Sequence, residues 1–291
     1  MAKSLPETPI PHKGRPEIDL TAGVVPLRHW GRIALSVLVA LVTTMVIWSL
    51  ANNENIHWSV VGQYLFSAPV LRGLGATLQI SLISIMLSTI FAITLAVMRM
   101  SKSKIISGVA FGYVFLFRGI PLIVLLIIVG NIGLFVKDIR IGIPFTDIML
   151  VDIAANRMIT PFVASIIGLS IVASAYMSEI VRGGLLSVGR GQYQASMALA
   201  MNGYQTLRYI VLPQALRVIV PPLGNEFITT IKMSALVSVI AGGELLTVVQ
   251  SISGVNYRTI EMLFVATFWY LVVVIISSII QSYVEKFFAE R

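Results

Sequence analysis

Three charged residues stand inside otherwise apolar stretches of the sequence: Arg118, Glu226 and Lys232. Ionisable side chains at membrane depth are costly and commonly functional. Pro121 should break the helix that contains Arg118, and a broken helix beside a charge is typical of a solute pathway. Glu226 and Lys232 lie about 240° apart around a helix of roughly 3.6 residues per turn, so each should pair with another helix or subunit. Arg118 is predicted to line the solute pathway, and Glu226 or Lys232 to bind a charged group of the solute. The alternatives are snorkelling for Arg118 and a structural ion pair for the other two.

The composition argues against catalysis and metal binding. The chain contains no cysteine, and its three histidines are scattered in or near polar segments: His12, His29 and His57. No Gly-Lys-Ser/Thr phosphate-binding loop is present. We therefore expect no catalytic residue, no metal and no cofactor. The formal net charge of +8 could indicate nucleic acid, but in a membrane protein it is better explained by basic loops kept in the cytoplasm, so no nucleic acid is expected as a partner.

The overall composition is that of an integral membrane protein. Of 291 residues, 57% are hydrophobic and 12% are charged, whereas soluble proteins contain about 25% charged residues. A spanning helix needs about 20 apolar residues. We expect an all-α fold with about six transmembrane helices, at these stretches: 33–50, 77–98, 105–129 (interrupted at 118–121), 161–177, 218–240 and 262–284.

The expected organisation has four parts. Residues 1–32 form a polar cytoplasmic tail, 33–50 an extra N-terminal span, 51–71 an external loop and 72–285 the main transmembrane domain. The start of the chain lacks the early apolar run of a secretory signal. Six spans place both termini on the same side of the membrane. Most lysines and arginines outside the spans lie on that side, and basic loops stay in the cytoplasm, so both termini are predicted to be cytoplasmic.

A less apolar segment, 179–224, separates the fourth and fifth spans. It is rich in Ala, Gly and Gln, it carries several arginines, and spanning does not require it. We predict a helix within 192–207 that stops at 202–203, followed by a second short helix at 204–210. Small side chains would let a partner's backbone approach closely, so the segment is predicted to dock on another protein at the cytoplasmic surface.

The spacing within this segment resembles the EAA loop of bacterial ABC importer permeases, which reads Glu-Ala-Ala, three residues, Gly, nine residues, Ile-x-Leu-Pro. The matching residues are Ala195, Ile210, Leu212 and Pro213. Further stretches are similar to signatures of the polar amino acid permeases and occur in the same order: 75–81, 117–122, 175–184, 212–217, 221–226 and 232–236. The resemblance runs from about Trp58 to the C-terminus and so covers most of the chain.

This resemblance implies a permease subunit of an ATP-driven amino acid importer in the bacterial inner membrane, with a five-helix core and an extra N-terminal span. ATP hydrolysis would belong to a partner. The implied partners are a dimer of ATP-binding-cassette ATPases, an external amino acid-binding protein and a second permease subunit, identical or different, in the lipid bilayer. The ATPases would bind the cytoplasmic loop 183–217. The residues implied in coupling are Gly191, Gln192, Gln194, Ala195, Ser196, Ala200, Gly203, Leu212 and Pro213.

The loop departs from the family pattern at three positions. Gln194 replaces Glu, Ser196 replaces the second Ala, and Ala200 replaces Gly. The lost glutamate would have carried a charge able to pair with an arginine or a helix end, so this chain could work beside a second, more typical permease. The same mechanism could instead carry an opine or another amino acid-like solute. Two alternatives from other classes are a gradient-driven secondary transporter, which should carry carboxylates in several spans, and a membrane scaffold, which would not need broken, charged helices.

Overall fold

The computed structural model describes residues 30–142 and 149–289 and divides the chain into two units, 1–55 and 56–291. The described part of the first unit is a helix, α1 (Trp30–Ala51), whose side chains are exposed along its whole length. A helix that is apolar on all sides suits the interior of a bilayer. α1 therefore has the length and composition of a membrane span.

The second unit consists mainly of helices. In chain order its α-helices are α2 (Trp58–Leu65), α3 (Ala68–Arg99), α4 (Lys104–Gly119), α5 (Leu122–Gly130), α6 (Ala155–Met158), α7 (Pro161–Leu186), α8 (Arg190–Ala198), α9 (Gly203–Gln205), α10 (Leu212–Met233), α11 (Leu245–Asn256) and α12 (Thr259–Ala289). Between them lie 3-10 helices at Ile132–Leu134 and Ser234–Ile240 and a π-helical segment at Thr206–Val211. Strands β1 (Asp138–Gly142) and β2 (Met149–Ala154) pair antiparallel, with Asp138 opposite Ala154.

Within the described residues, five helices are long and apolar enough to cross a membrane: α1, α3, α7, the continuous helix Gly203–Ile240 and α12. α4 and α5 make a sixth if the bent pair is counted as one span. The prediction of about six spans in an all-α membrane fold is confirmed. The boundaries differ from the expected ones, because α2 and the start of α3 lie inside the stretch assigned to an external loop. The β-hairpin was not predicted.

The predicted break after Arg118 is present. α4 ends at Gly119, and Ile120 adopts an extended backbone conformation. The ring of Pro121 disfavours the helical conformation for the residue before it, which explains this extended residue. The chain bends by 101° between α4 and α5. α5 then packs its leucine side chains against α7.

α3 and α7 pack together through small side chains and hydroxyl groups. The Ser88 hydroxyl donates to the Ser170 carbonyl (3.2 Å), and the Ser170 hydroxyl donates to the Ser84 carbonyl (3.3 Å). Small residues let membrane helices approach closely, and hydroxyl groups supply bonds between them. Gly168 gives similar close packing with α5, because a Cβ there would lie 2.7 Å from Leu126 Cδ2.

α2 runs beside the start of α12. The backbone N–H of His57 donates to Glu261 Oε1 (3.1 Å), and the indole N–H of Trp269 donates to the Leu65 carbonyl (2.7 Å). Both pairs are separated by 204 residues, so the two helices run in the same direction over two turns. The stretch before α3 is thus fixed to α12 at both ends of α2.

Candidate functional site

The segment 183–217 contains α8, and the position at which α8 ends corrects one prediction. The predicted helix within 192–207, with its stop at 202–203, is wrong at the C-terminal end because α8 ends at Ala198. Ala200 has a φ of 56°, in the left-handed region that often terminates helices. The Met201 N–H then donates to the Ser196 carbonyl (3.0 Å) and closes the turn.

Asn202 begins the next helix instead of ending the previous one. Its side chain accepts a hydrogen bond from the Gln205 N–H (2.9 Å), and the Gln205 side chain accepts one from the Asn202 N–H (2.9 Å). This reciprocal capping box satisfies amide groups that have no partner within the first turn. The pattern Asn-x-x-Gln was therefore a start signal that we assigned to a helix end.

The predicted second short helix at 204–210 is not a separate element. α9, the π-helical segment, α10 and the 3-10 helix Ser234–Ile240 form one continuous helix, Gly203–Ile240, which includes the fifth span. Pro213 cannot donate to the carbonyl four residues earlier, and the helix is of the wider π type in the turn before it. The segment is therefore joined to the membrane domain without a flexible loop at this end.

One buried and one exposed hydrogen bond hold α8 against this continuous helix. Ser196 is buried, and its hydroxyl accepts a hydrogen bond from the Thr206 hydroxyl (3.1 Å). Gln214 donates through its side-chain amide to Gln192 Oε1 (3.3 Å). Val211 packs in an apolar cluster with residues of α3 and α7. Movement of α8 should therefore be transmitted to α10.

The outer face of the segment is apolar and exposed. Met197, Leu199 and Tyr204 have exposed fractions of 66%, 75% and 72%. A groove of 480 Å³ runs along the contact between α8 and the π-helical segment. Its lining residues are Tyr193, Ser196, Met197, Met201, Gly203, Thr206, Leu207 and Val211. Exposed apolar patches of this kind mark interaction sites.

The residues implied in coupling do not all lie on that surface. Most are exposed: Gly191, Gln192, Gln194, Ala195, Ala200, Gly203 and Pro213. Leu212 is half-buried, and Ser196 is buried in the contact with Thr206. Ser196 therefore stabilises the segment from inside, while the exposed residues are available to a partner.

A second candidate site is a charged cleft of 460 Å³ between α3, α4 and α7. It is lined by Arg99, Phe111, Val114, Phe115, Arg118, Gly119, Tyr176 and Glu179. The Arg118 guanidinium lies 5.0 Å from the centre of the Tyr176 ring, and that of Arg99 lies 4.8 Å from the Phe111 ring. Cation–π contacts of this kind hold guanidinium groups over aromatic faces.

The cleft carries more positive than negative charge. Glu179 accepts two hydrogen bonds from Arg182, from Nε at 2.9 Å and Nη2 at 2.6 Å. Arg99 also pairs with Glu179, at 3.5 Å between Nε and Oε1. Within the described residues, no carboxylate pairs with Arg118. The cleft can therefore bind an anionic group at Arg118.

The other two predicted pathway residues lie outside this cleft, on α10. Glu226 is half-buried and Lys232 is exposed. In the part of the chain that the structure describes, the side chains of Glu226 and Lys232 form no ion pair and no hydrogen bond; the Thr230 hydroxyl donates only to the backbone carbonyl of Glu226 (2.9 Å). Partners on another helix of the same chain are therefore not observed, and partners on another subunit stay a prediction.

Sequence reasoning missed a buried acidic residue, Glu244. It caps the N-terminus of α11, because its carboxylate accepts hydrogen bonds from the Leu246 N–H (2.6 Å) and the Thr247 N–H (2.8 Å). The Tyr270 hydroxyl also donates to it (3.0 Å). An acidic residue directly before an apolar helix was the available signal.

Among the described residues, no group of three His, Asp or Glu side chains could hold a metal ion.

Comparison with known proteins identifies the family. Residues 88–290 match the family described as the binding-protein-dependent transport system inner membrane component. The chain belongs to this family. It is a multi-pass inner membrane protein and the permease subunit of an amino acid ABC importer, not a catalytic subunit. Membership implies ATPase and binding-protein partners.

Individual relatives support the same assignment. The chain is 39% identical to the arginine transport system permease protein ArgU of Corynebacterium glutamicum, over 90% of this chain and 82% of that protein. It is 33% identical to the L-cystine transport system permease protein TcyB of Bacillus subtilis, over 79% and 91% respectively. A solved structure described as an amino acid ABC transporter with histidines aligns with a TM-score of 0.63 at 32% identity, over 75% of this chain and 93% of that one.

Proposed function

We propose that the segment 183–217 is the surface on which the ATPase docks. The exposed side chains of Met197, Leu199 and Tyr204 would enter a hydrophobic recess on the ATPase, and the small residues of α8 would allow close backbone contact. The observation that carries the proposal is the continuous helix Gly203–Ile240. It joins the docking surface to Glu226 and Lys232 without a flexible connection.

The orientation that fits this proposal puts both termini in the cytoplasm. Basic residues are concentrated in the N-terminal tail, at 99–104 and in the docking segment. Positively charged loops remain on the cytoplasmic side during membrane insertion. The β-hairpin and the α2–α12 contact then face the external compartment, where the binding protein would deliver its cargo.

The cargo we propose is an amino acid, with arginine as the first to test. Arg118 would bind the α-carboxylate, because the cleft leaves this guanidinium without a carboxylate among the described residues. Glu226, lying on α10, would bind a cationic group of the cargo. An opine or another amino acid-like solute is the alternative.

The importer would contain two permease subunits. Lys232 and Glu226 lack ion-pair partners within the described residues of this chain, and a second subunit could supply them. A charge within a membrane domain requires such compensation. With Gln194 in place of the family's glutamate, a second permease that retains the glutamate would strengthen attachment of the ATPase.

The test is purification from the native cells, followed by reconstitution. The chain should co-purify with an ATPase, and liposomes containing the complex should take up radiolabelled arginine only when ATP and the binding protein are both supplied. A second permease in the purified complex would establish a heterodimer. Uptake by the chain alone without ATP would overturn the proposal and favour a gradient-driven transporter.

A further inference from the structure

α10 contains two adjacent prolines between the docking segment and the predicted pathway residues. Pro221 and Pro222 lack amide hydrogens, so the carbonyls of Arg217 and Val218 lose their usual helical donors. Helices bend most readily at such positions. By helix geometry, Pro221 lies about 14 Å from Leu212 and about 16 Å from Lys232, at roughly 1.5 Å per residue. The weakened turn is therefore near the middle of the connecting helix.

A side chain of α12 is bonded to this turn. Gln281 is 9% exposed, and its amide nitrogen donates to the Pro221 carbonyl (2.6 Å). The same nitrogen donates to Glu285 Oε1 (3.0 Å), which holds the amide in one orientation. Polar side chains within membrane helices commonly join neighbouring helices in this way.

Gly224 leaves space for the Gln281 amide. A Cβ at this position would overlap the side-chain oxygen of Gln281 and would lie 2.6 Å from its Cδ. The amide could not remain in place beside any larger residue. Glycine in a helix interior is unfavourable by about 1 kcal/mol relative to alanine, so the close approach is the physical reason for its presence here.

An open groove of 340 Å³ lies beside the same contact, between α10 and α12. Its lining includes Val220, Leu223, Phe227, Ile280 and Val284. Protein interiors are usually close-packed and resist displacement of one helix against another. The groove leaves this part of the contact between α10 and α12 unfilled, which gives α10 room to tilt while the Gln281 contact stays fixed.

We propose that Gln281 is a positioning residue that fixes the middle of α10 to α12, so that α10 tilts about this contact. Displacement of the docking segment then produces a displacement in the opposite direction beyond the contact. It is of similar size at Lys232, because the two arms are of similar length, and about half as large at Glu226, which lies about 7.5 Å from Pro221 at roughly 1.5 Å per residue. This inference rests on the proposed docking of the ATPase on 183–217. Without the contact, α10 would bend at the prolines and the displacement would end there.

The test uses the absence of cysteine from the chain, which makes any introduced cysteine unique within it. One reporter is Leu216→Cys, on the docking side of the contact, and the other is Thr229→Cys, on the far side. Inside-out vesicles from the native cells are treated with N-ethylmaleimide, with and without ATP and vanadate, and labelling rates are measured. Each reporter is combined with unchanged Gln281, Gln281→Leu or Gly224→Ala.

With Gln281 unchanged, ATP and vanadate should alter the labelling rate at both reporters. With Gln281→Leu or Gly224→Ala, the change in labelling rate caused by ATP and vanadate should persist at the cysteine at position 216. At the cysteine at position 229 it should fall roughly threefold to tenfold, which corresponds to the loss of about one hydrogen bond. Ser282→Ala is the matched control, since its hydroxyl bonds only within α12, to the Ile279 carbonyl (2.8 Å), and it should change neither response.

The possible outcomes distinguish failure of the role assigned to Gln281 from failure of the docking proposal. An undiminished response at 229 in both variants would overturn the role of Gln281. Loss of the response at both reporters in both variants would indicate general damage to the helix and would also overturn it. If the chain with Gln281 unchanged shows no ATP response at either reporter, the docking proposal itself fails, and this inference fails with it.

Discussion

Replacement of Glu244 by alanine should strongly destabilise the folded chain. The change removes the acceptor for the Leu246 and Thr247 N–H groups, for the half-buried Thr247 hydroxyl and for the Tyr270 hydroxyl. Loss of a helix cap costs about 0.5–2 kcal/mol. Each buried donor left without a partner costs about 1–3 kcal/mol. Because the cost of losing the cap already covers the two N–H groups, only the Tyr270 hydroxyl is added to it, and we expect the free energy of unfolding to fall by about 1.5–5 kcal/mol.

The assay is thermal unfolding of the detergent-purified chain. At about 2–4 °C per kcal/mol for a chain of comparable size, the Tm should fall by roughly 10 °C. Glu244→Asp should lose less, because aspartate is also a good helix cap but is too short to reach both α11 and Tyr270. Glu54→Ala, at an exposed position, is the control and should leave the Tm unchanged. A Tm for Glu244→Ala within about 2 °C of the original would refute the assigned role of the carboxylate.

Three further predictions concern the proposed function. Ala195→Asp puts a charge on the exposed side of α8. It should weaken co-purification of the ATPase at least about tenfold, which corresponds to roughly 1.4 kcal/mol of binding free energy. Unchanged assembly and uptake would mean that α8 is not the docking helix. Gln194→Glu restores the family's charge and should leave ATP-driven uptake equal or higher, and a clear loss would indicate a partner surface adapted to glutamine. Arg118→Gln should raise the KM for uptake about tenfold or more, since hydrogen bonds to charged groups contribute roughly 1.5–3 kcal/mol. The control is Arg72→Gln, at an exposed position, which should leave the KM unchanged. Equal effects of the two changes would show that Arg118 does not belong to the pathway.

The spans and the broken helix followed from local sequence properties. Apolar length determines which segments can cross a bilayer, and Pro121 determines the conformation of the residue before it. The loop spacing around Ala195 and Pro213 was sufficient to indicate the family, which the comparison confirmed. None of these inferences required knowledge of contacts between distant residues.

The features that were missed depend on distant contacts or on competing local signals. Arg99 joins Glu179 across 80 residues of sequence, so the charged cleft could not be recognised before the helices were placed. Asn202 can both end and begin a helix, and only its bonds with Gln205 decide between these roles. The role of Glu244 depends on Tyr270, which reaches it from another helix.

The hydroxyl bonds between α3 and α7 bear on how the chain enters the membrane during synthesis. α7 buries several serines, and the Ser170 hydroxyl finds its acceptor on α3, at the Ser84 carbonyl. An unpaired hydroxyl in hydrocarbon is unfavourable. The Ser170 hydroxyl of α7 therefore depends on α3, which is synthesised earlier, for its hydrogen-bond acceptor. Insertion of α7 should therefore depend on α3 already being in the bilayer, and a defect in α3 would appear first as failed insertion of a segment that lies far downstream.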